Sequence, residues 1–156
     1  MKKISVRSAA IALTLCLCTF VAAAQTKPNL TGTWKMNESK SNFANANKHP
    51  SEITIKFDQK DSSFTESLTI TENNGEHKAD LKYTADGKET TNQIEDHLAQ
   101  ITAKWEGETL VIEMKSEQNL FVRKITISSD GKTMTMAVHR TKGENVFDET
   151  VVLEKQ

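Results

Sequence analysis

Beyond residue 24 the chain contains no cysteine, since both of its cysteines, Cys16 and Cys18, lie in the first two dozen residues. No disulfide can staple the remainder, so side-chain packing and hydrogen bonds must hold it. Arginine is almost as scarce: after the first two dozen residues only Arg123 and Arg140 remain, beside 15 lysines. There is no Gly-x-Ser-x-Gly elbow, no phosphate-cradling glycine loop and no His-x-x-x-His pair. Those absences remove the sequence signals of a serine hydrolase, a nucleotide-binding loop and a zinc site. His49, His77, His97 and His139 are scattered singly, which leaves no ligand set for a metal. Glu95-Asp96-His97 sits at a predicted turn and reads as solvated loop rather than as a catalytic group. The sequence therefore calls for no catalytic residue, metal or cofactor.

The one long uncharged run, Ala9 to Ala24, follows a basic start of Lys2, Lys3 and Arg7 and closes on Ala22-Ala23-Ala24 before Gln25. That is the pattern of a cleavable signal peptide over residues 1–24, with a domain spanning 25–156. An uncleaved anchor is the alternative, although the run is short for a membrane span. A lipoprotein is disfavoured because Leu15 and Leu17 precede the two cysteines where a small residue is needed. The Lys-Lys leader points to a bacterium and to a periplasmic or secreted destination, which makes the sequons at Asn29 and Asn37 irrelevant. Without Lys2, Lys3 and Arg7, the 20 basic residues fall to 17 against 21 acidic ones, a net charge of −4. Nucleic acid and anionic membrane surfaces are poor partners for such a chain.

What the chain has in abundance is period-two alternation, as in Ile53-Thr54-Ile55-Lys56-Phe57, Leu110-Val111-Ile112-Glu113-Met114 and Met134-Thr135-Met136-Ala137-Val138. One face is apolar and the other rich in Lys, Glu and Thr, the pattern of half-buried strands. Asn74-Gly75, Asp86-Gly87, Glu106-Gly107 and Asp130-Gly131 separate the runs and favour tight hairpin turns. Ten strands are predicted, near 31–37, 51–58, 63–72, 77–85, 88–95, 98–105, 108–115, 119–128, 132–141 and 145–155. Two-residue loops at the four dipeptides set four registers. Asp130-Gly131 brings Ile127 opposite Met134 and Arg123 opposite Val138, and Glu106-Gly107 brings Ala103 opposite Leu110. Asn74-Gly75 brings Ile70 opposite Ala79, and Asp86-Gly87 brings Tyr83 opposite Thr90 and Ala79 opposite Ile94. Every pairing puts the apolar sets on one shared face, which a one-residue slip would destroy.

The fold class expected is all-β: a single antiparallel up-and-down meander barrel of about 8–10 strands. Closure covers the apolar face and removes the sheet edges; a two-sheet sandwich is the rival arrangement. The connection from Glu38 to Pro50 is the one long loop, suited to a lid or a short helical turn over one barrel end.

Asn29-Leu30-Thr31-Gly32-Thr33-Trp34-Lys35-Met36 carries a Gly-x-Trp on the first predicted strand, where the ring can plug a barrel end. This resembles the opening of the calycin superfamily of lipocalins and fatty-acid-binding proteins. Gly32-Thr33-Trp34-Lys35 followed by Asn37-Glu38-Ser39 and Phe43 is similar to the fatty-acid-binding-protein opening, and Trp105 to Val111 to that group's late hairpin. The whole domain looks like the small exported lipocalin-like proteins of bacteria. The resemblance implies a barrel that carries a small apolar or amphipathic ligand. Two features differ: residues 38–50 are few for a paired helical lid, and the last strand lacks the Arg-x-Tyr with which that group grips a carboxylate.

Candidate ligand-binding residues follow from the phase of the strands. Arg123 is in phase with Phe121 and Ile125, and Arg140 with Met136 and Val138, so the two are diagonal neighbours on the inner face. Two inward guanidiniums suit a carboxylate, phosphate or sulfate head. Glu66 and Glu149 share that face, however, and either can neutralise an arginine as a structural pair. Tyr83, Trp105, Phe121 and Met136 complete the candidate lining, with core filling as the alternative. The sequence thus points to an exported binding protein for a small hydrophobic or amphipathic molecule, with an anionic head as one option. An interaction or inhibitor module of the cell envelope with a packed barrel is the second reading, and an enzyme the third.

Overall fold

Alternating apolar and polar residues specify strands, and ten form: β1 (Gly32–Met36), β2 (Glu52–Lys60), β3 (Ser63–Glu72), β4 (Gly75–Thr84), β5 (Asp86–Ile94), β6 (His97–Glu106), β7 (Thr109–Ser116), β8 (Asn119–Ile127), β9 (Thr133–Lys142) and β10 (Asn145–Lys155). The computed structural model describes residues 27–45, 48–117 and 119–156. The expected signal peptide at residues 1–24 lies outside the described residues. Consecutive strands pair antiparallel except β4 with β5, and β1 also pairs with β10, giving the order β4-β3-β2-β1-β10-β9-β8-β7-β6-β5. The sheet is a nearly closed up-and-down barrel whose inner face is the apolar one.

Of the four expected registers, one is observed as expected. Ile127 pairs with Met134 and Arg123 with Val138, although the turn is wider than two residues, with Ser128 N–H donating to the Thr133 carbonyl. Two registers differ by two residues. Ala103 faces Ile112 rather than Leu110, because Gly107 takes the first place in the turn with φ of 62°. Ile70 faces His77 rather than Ala79, because Gly75 is already paired with Glu72. A shift of two keeps every side chain on its face, so the inner set is unchanged. The fourth expectation is overturned: β4 and β5 are the two edges of the sheet and form no ladder, so Tyr83 does not pair with Thr90 nor Ala79 with Ile94.

Side chains bridge that seam instead. The Asn92 side chain accepts the Lys82 N–H at 2.7 Å and donates to the Lys82 carbonyl at 3.0 Å, taking the place of a strand's backbone. Thr84 donates to Asp86 beyond one end of the seam, and His77 meets Glu95 at 3.1 Å at the other.

The N-terminal segment seals one end of the barrel. Trp34 is wholly buried and its Nε1–H donates to the Leu30 carbonyl at 2.8 Å, while Leu30 N–H donates to Gln59. Gly32 is favoured beside it because φ is 136°, a conformation that side-chain-bearing residues rarely adopt. The connection after β1 makes one short 3₁₀ turn, Glu38–Lys40, then bridges to β10 through Asn42 and Thr150.

Asn92→Ala strands two backbone groups of Lys82 and is expected to destabilise the fold by about 1–3 kcal/mol in urea titration. Exchange of the Lys82 amide should accelerate more than that of residues in the β8–β9 hairpin. A second expectation concerns Asp86, which accepts from the Thr84 hydroxyl and the Lys88 N–H, holding its carboxyl at about 2. Its contribution to the turn is present above the ordinary carboxylate range of about 4 and is lost as pH falls towards 2. The carboxyl carbon of Asp86 should therefore titrate by NMR well below those of freely solvated aspartates.

Candidate functional site

The two ends of the barrel differ in how fully their inner side chains are buried. At the sealed end and through the middle lie Leu30, Trp34, Ile55, Phe57, Leu110, Ile112, Ile125, Met134 and Leu153, each at most 2% exposed. Towards the opposite end, where β3 turns into β4, β5 into β6 and β9 into β10, most inner apolar residues are half-buried, Ile53 and Ala99 excepted, whereas at the sealed end only Ala85, Trp105 and Ile127 are. Those of the opposite end are Met36, Leu68, Ile70, Ala79, Ile94, Met114 and Phe121, all packed against the core and all partly open. Phe43, from the loop between β1 and β2, joins them and stacks on His49 with ring centres 4.7 Å apart. His49 is fixed by its Nδ1–H, which donates to the Pro50 carbonyl at 2.9 Å, with Glu38 3.7 Å from Nε2. The result is an apolar mouth with a loop beside it.

A polar cluster crosses the barrel beneath that mouth. Arg123 on β8 is 2% exposed and forms two hydrogen bonds to Glu66 on β3, Nη1 to Oε1 at 2.5 Å and Nη2 to Oε2 at 2.8 Å. Glu66 is wholly buried, and its Oε2 also accepts from the Tyr83 hydroxyl at 2.9 Å. Burial alone would lower the Arg123 pKa, but the Glu66 charge and hydrogen bonds outweigh it and hold the pKa above its ordinary value. Burial, with Glu66 alongside, pushes the Tyr83 hydroxyl well above its usual range, so it stays protonated and donates. Arg123 Nε is the one buried side-chain polar atom without a hydrogen-bond partner among the described residues.

The six candidate residues from the sequence fall at different depths. Arg123 and Tyr83 meet at Glu66, and Met136 is buried one register step from Arg123 towards the sealed end, opposite Ile125. Phe121 and Arg140 pair across β8 and β9 at the mouth. Arg140 is largely exposed, 3.7 Å from Glu149 and 5.0 Å over the Phe147 ring, so the two arginines do not share a common head site. Trp105 lies towards the sealed end, with its ring 6.4 Å from that of Phe64 and Lys27 over it. Apart from Phe121, sequence phase did not single out the half-buried apolar residues of the mouth. Their common signal, alternation, is shared with the fully packed core.

No protein-family model matches the chain, and no curated protein sequence matches it. Solved structures do. The fold, a ten-stranded up-and-down barrel, is calycin-like. A secretory abundant heat soluble protein from Ramazzottius varieornatus superposes with a TM-score of 0.62 at 12% identity, covering 85% of this chain and 98% of that one. The fluorescent protein UnaG gives 0.59 at 16% identity, covering 81% and 97%. Zebrafish ileal bile acid-binding protein, complexed with cholic acid, gives 0.58 at 14% identity, covering 81% and 98%. Likeness at such identities concerns the fold and transfers no residue role. Among the described residues, no group of three or more His, Cys, Asp or Glu is placed to hold a metal ion.

The cluster yields its own prediction. Arg123→Met leaves Glu66 buried without its cation, and should cost about 3–5 kcal/mol in urea unfolding. The double substitution Arg123→Met with Glu66→Leu should recover most of that loss, giving a large coupling term in a double-mutant cycle.

Proposed function

We propose that this protein is an exported carrier that takes a small apolar or amphipathic molecule into the open end of its barrel. One observation carries the reading: half-buried inward apolar residues gather at the end away from Leu30 and Trp34, seven of them there against three, Ala85, Trp105 and Ile127, at the capped end. Seven inward apolar side chains left partly wet leave apolar surface unsatisfied, and a ligand that removes it from water gains roughly 25 cal/mol per Å². Met36, Met114 and Phe121 give the mouth adaptable thioethers and a broad ring, suited to irregular apolar shapes. The calycin fold supports the same reading, because two of the solved structures it resembles are described as a fatty acid transporter and a bile acid-binding protein. The charge-free run Ala9 to Ala24, ending in three alanines, supports export with cleavage before Gln25.

Nile red, a neutral apolar dye, tests the site. It should bind the purified barrel with enhanced emission. Ile94→Asp, which puts a charge in the mouth, should weaken binding about tenfold or more (1.4 kcal/mol per factor of ten). Ala137→Asp, on the outer face, should leave binding unchanged. Equal loss from both, or no binding to the intact chain, would contradict a carrier. Export is checked by intact mass of the chain recovered outside the cytoplasm, which should begin at Gln25; recovery only in the cytoplasm with the leader attached would contradict it.

A further inference from the structure

We infer that the ligand of this barrel carries a neutral oxygen-containing head, a hydroxyl or carbonyl, and that the buried Arg123–Glu66 pair selects against carboxylates. The inference rests on the carrier reading and sharpens it to a chemical class. An inward arginine beneath an apolar mouth is the usual reason to expect an anionic head, yet here the charge is already answered from within the chain. Glu66 is wholly buried and spans the guanidinium with two hydrogen bonds, and Tyr83 occupies a further acceptor position on Oε2. Arginine, glutamate and neutral tyrosine together carry no net charge.

A carboxylate arriving at this cluster meets two opposed costs. It must shed its own water, which for an ion is large unless a cation replaces it. The available cation is already paired, so the ligand either lies beside the Glu66 carboxylate in low dielectric or displaces it and leaves Glu66 buried unpaired. A neutral oxygen avoids both outcomes. Its desolvation is far cheaper, and Arg123 Nε, a buried nitrogen without any partner among the described residues, has its N–H free for it. Phe121 covers the approach. It lies one inward position nearer the mouth on β8, half-buried, with its ring 5.9 Å from the Arg123 guanidinium carbon. A shift of that ring brings a head entering from the mouth to Nε, while the ligand's apolar tail rests against Leu68, Ile70, Ile94 and Met114. Arg140 does not alter the balance, being largely exposed at the rim beside Glu149 and Phe147.

The experiment is displacement of Nile red from the intact barrel by decanol and by decanoate, matched in chain length, at a pH where decanoate is fully ionised. Decanol should displace the dye at a concentration about tenfold or more below that needed for decanoate. Glu66→Gln, which frees the Arg123 charge, should narrow or reverse that ratio by raising decanoate affinity; the comparison on the unaltered chain decides the matter even where this variant fails to fold. Equal or tighter binding of decanoate by the unaltered chain overturns the inference while leaving the carrier intact. Failure of dye and both competitors to bind overturns the carrier reading and this inference with it.

Discussion

A guanidinium survives inside an apolar barrel only when a carboxylate meets it there, and the Arg123–Glu66 pair is the constraint around which the interior is arranged. The two residues stand on β8 and β3, separated by 57 positions in the chain and joined only through closure of the sheet. Their contact therefore depends on the whole meander, and it favours the barrel in which those strands face one another. Such a pair adds little net stability compared with an apolar filling, because desolvation consumes most of the attraction. Its strength lies in what it penalises: any arrangement that separates the two charges leaves at least one buried alone. Tyr83 reinforces this by donating to Glu66, tying β4 at the sheet edge to the same point.

Above and below that cluster the inner face follows two regimes. Below it, Leu30, Trp34, Phe57 and Met134 fill the barrel and exclude water, with the N-terminal segment drawn across the end by the Trp34 and Gln59 hydrogen bonds. Above it, most apolar residues of the same phase are partly wet, Ile53 and Ala99 excepted. The seam between β4 and β5 passes along both regimes and is bridged by Asn92, whose amide supplies to Lys82 the donor and acceptor that a paired strand would have supplied. Loss of a ladder there leaves side chains rather than backbone as the fastening, so local opening is cheaper along this line than elsewhere.

Much of this was legible in the sequence. Period-two alternation assigns faces, which is why all ten strands and the inward phase of Arg123, Glu66 and Glu149 follow from it. It does not fix which residue of a turn dipeptide takes the first place, so the registers beside Gly75 and Gly107 differ by two with no side chain changing face. The seam was invisible because a strand at an edge alternates as one in a ladder does, and Asp86-Gly87 looks like any hairpin turn. The choice between a free arginine and a paired one was equally hidden. Phase places Arg123 and Glu66 on one face, but contact across the barrel depends on how the sheet curls. Depth along the axis leaves no mark in alternation at all, so the mouth emerges only from burial.

The central claim is that the half-buried end of the inner face is where a ligand lodges. Methyl NMR during titration with Nile red tests it most directly. The account predicts shifts at Ile70, Ile94, Leu68 and Met114 that saturate together, with Leu110, Leu153 and Met134 at the sealed end unmoved. Shifts confined to outward residues such as Val122 and Ala137, or no saturable shift on the inner face, would contradict it.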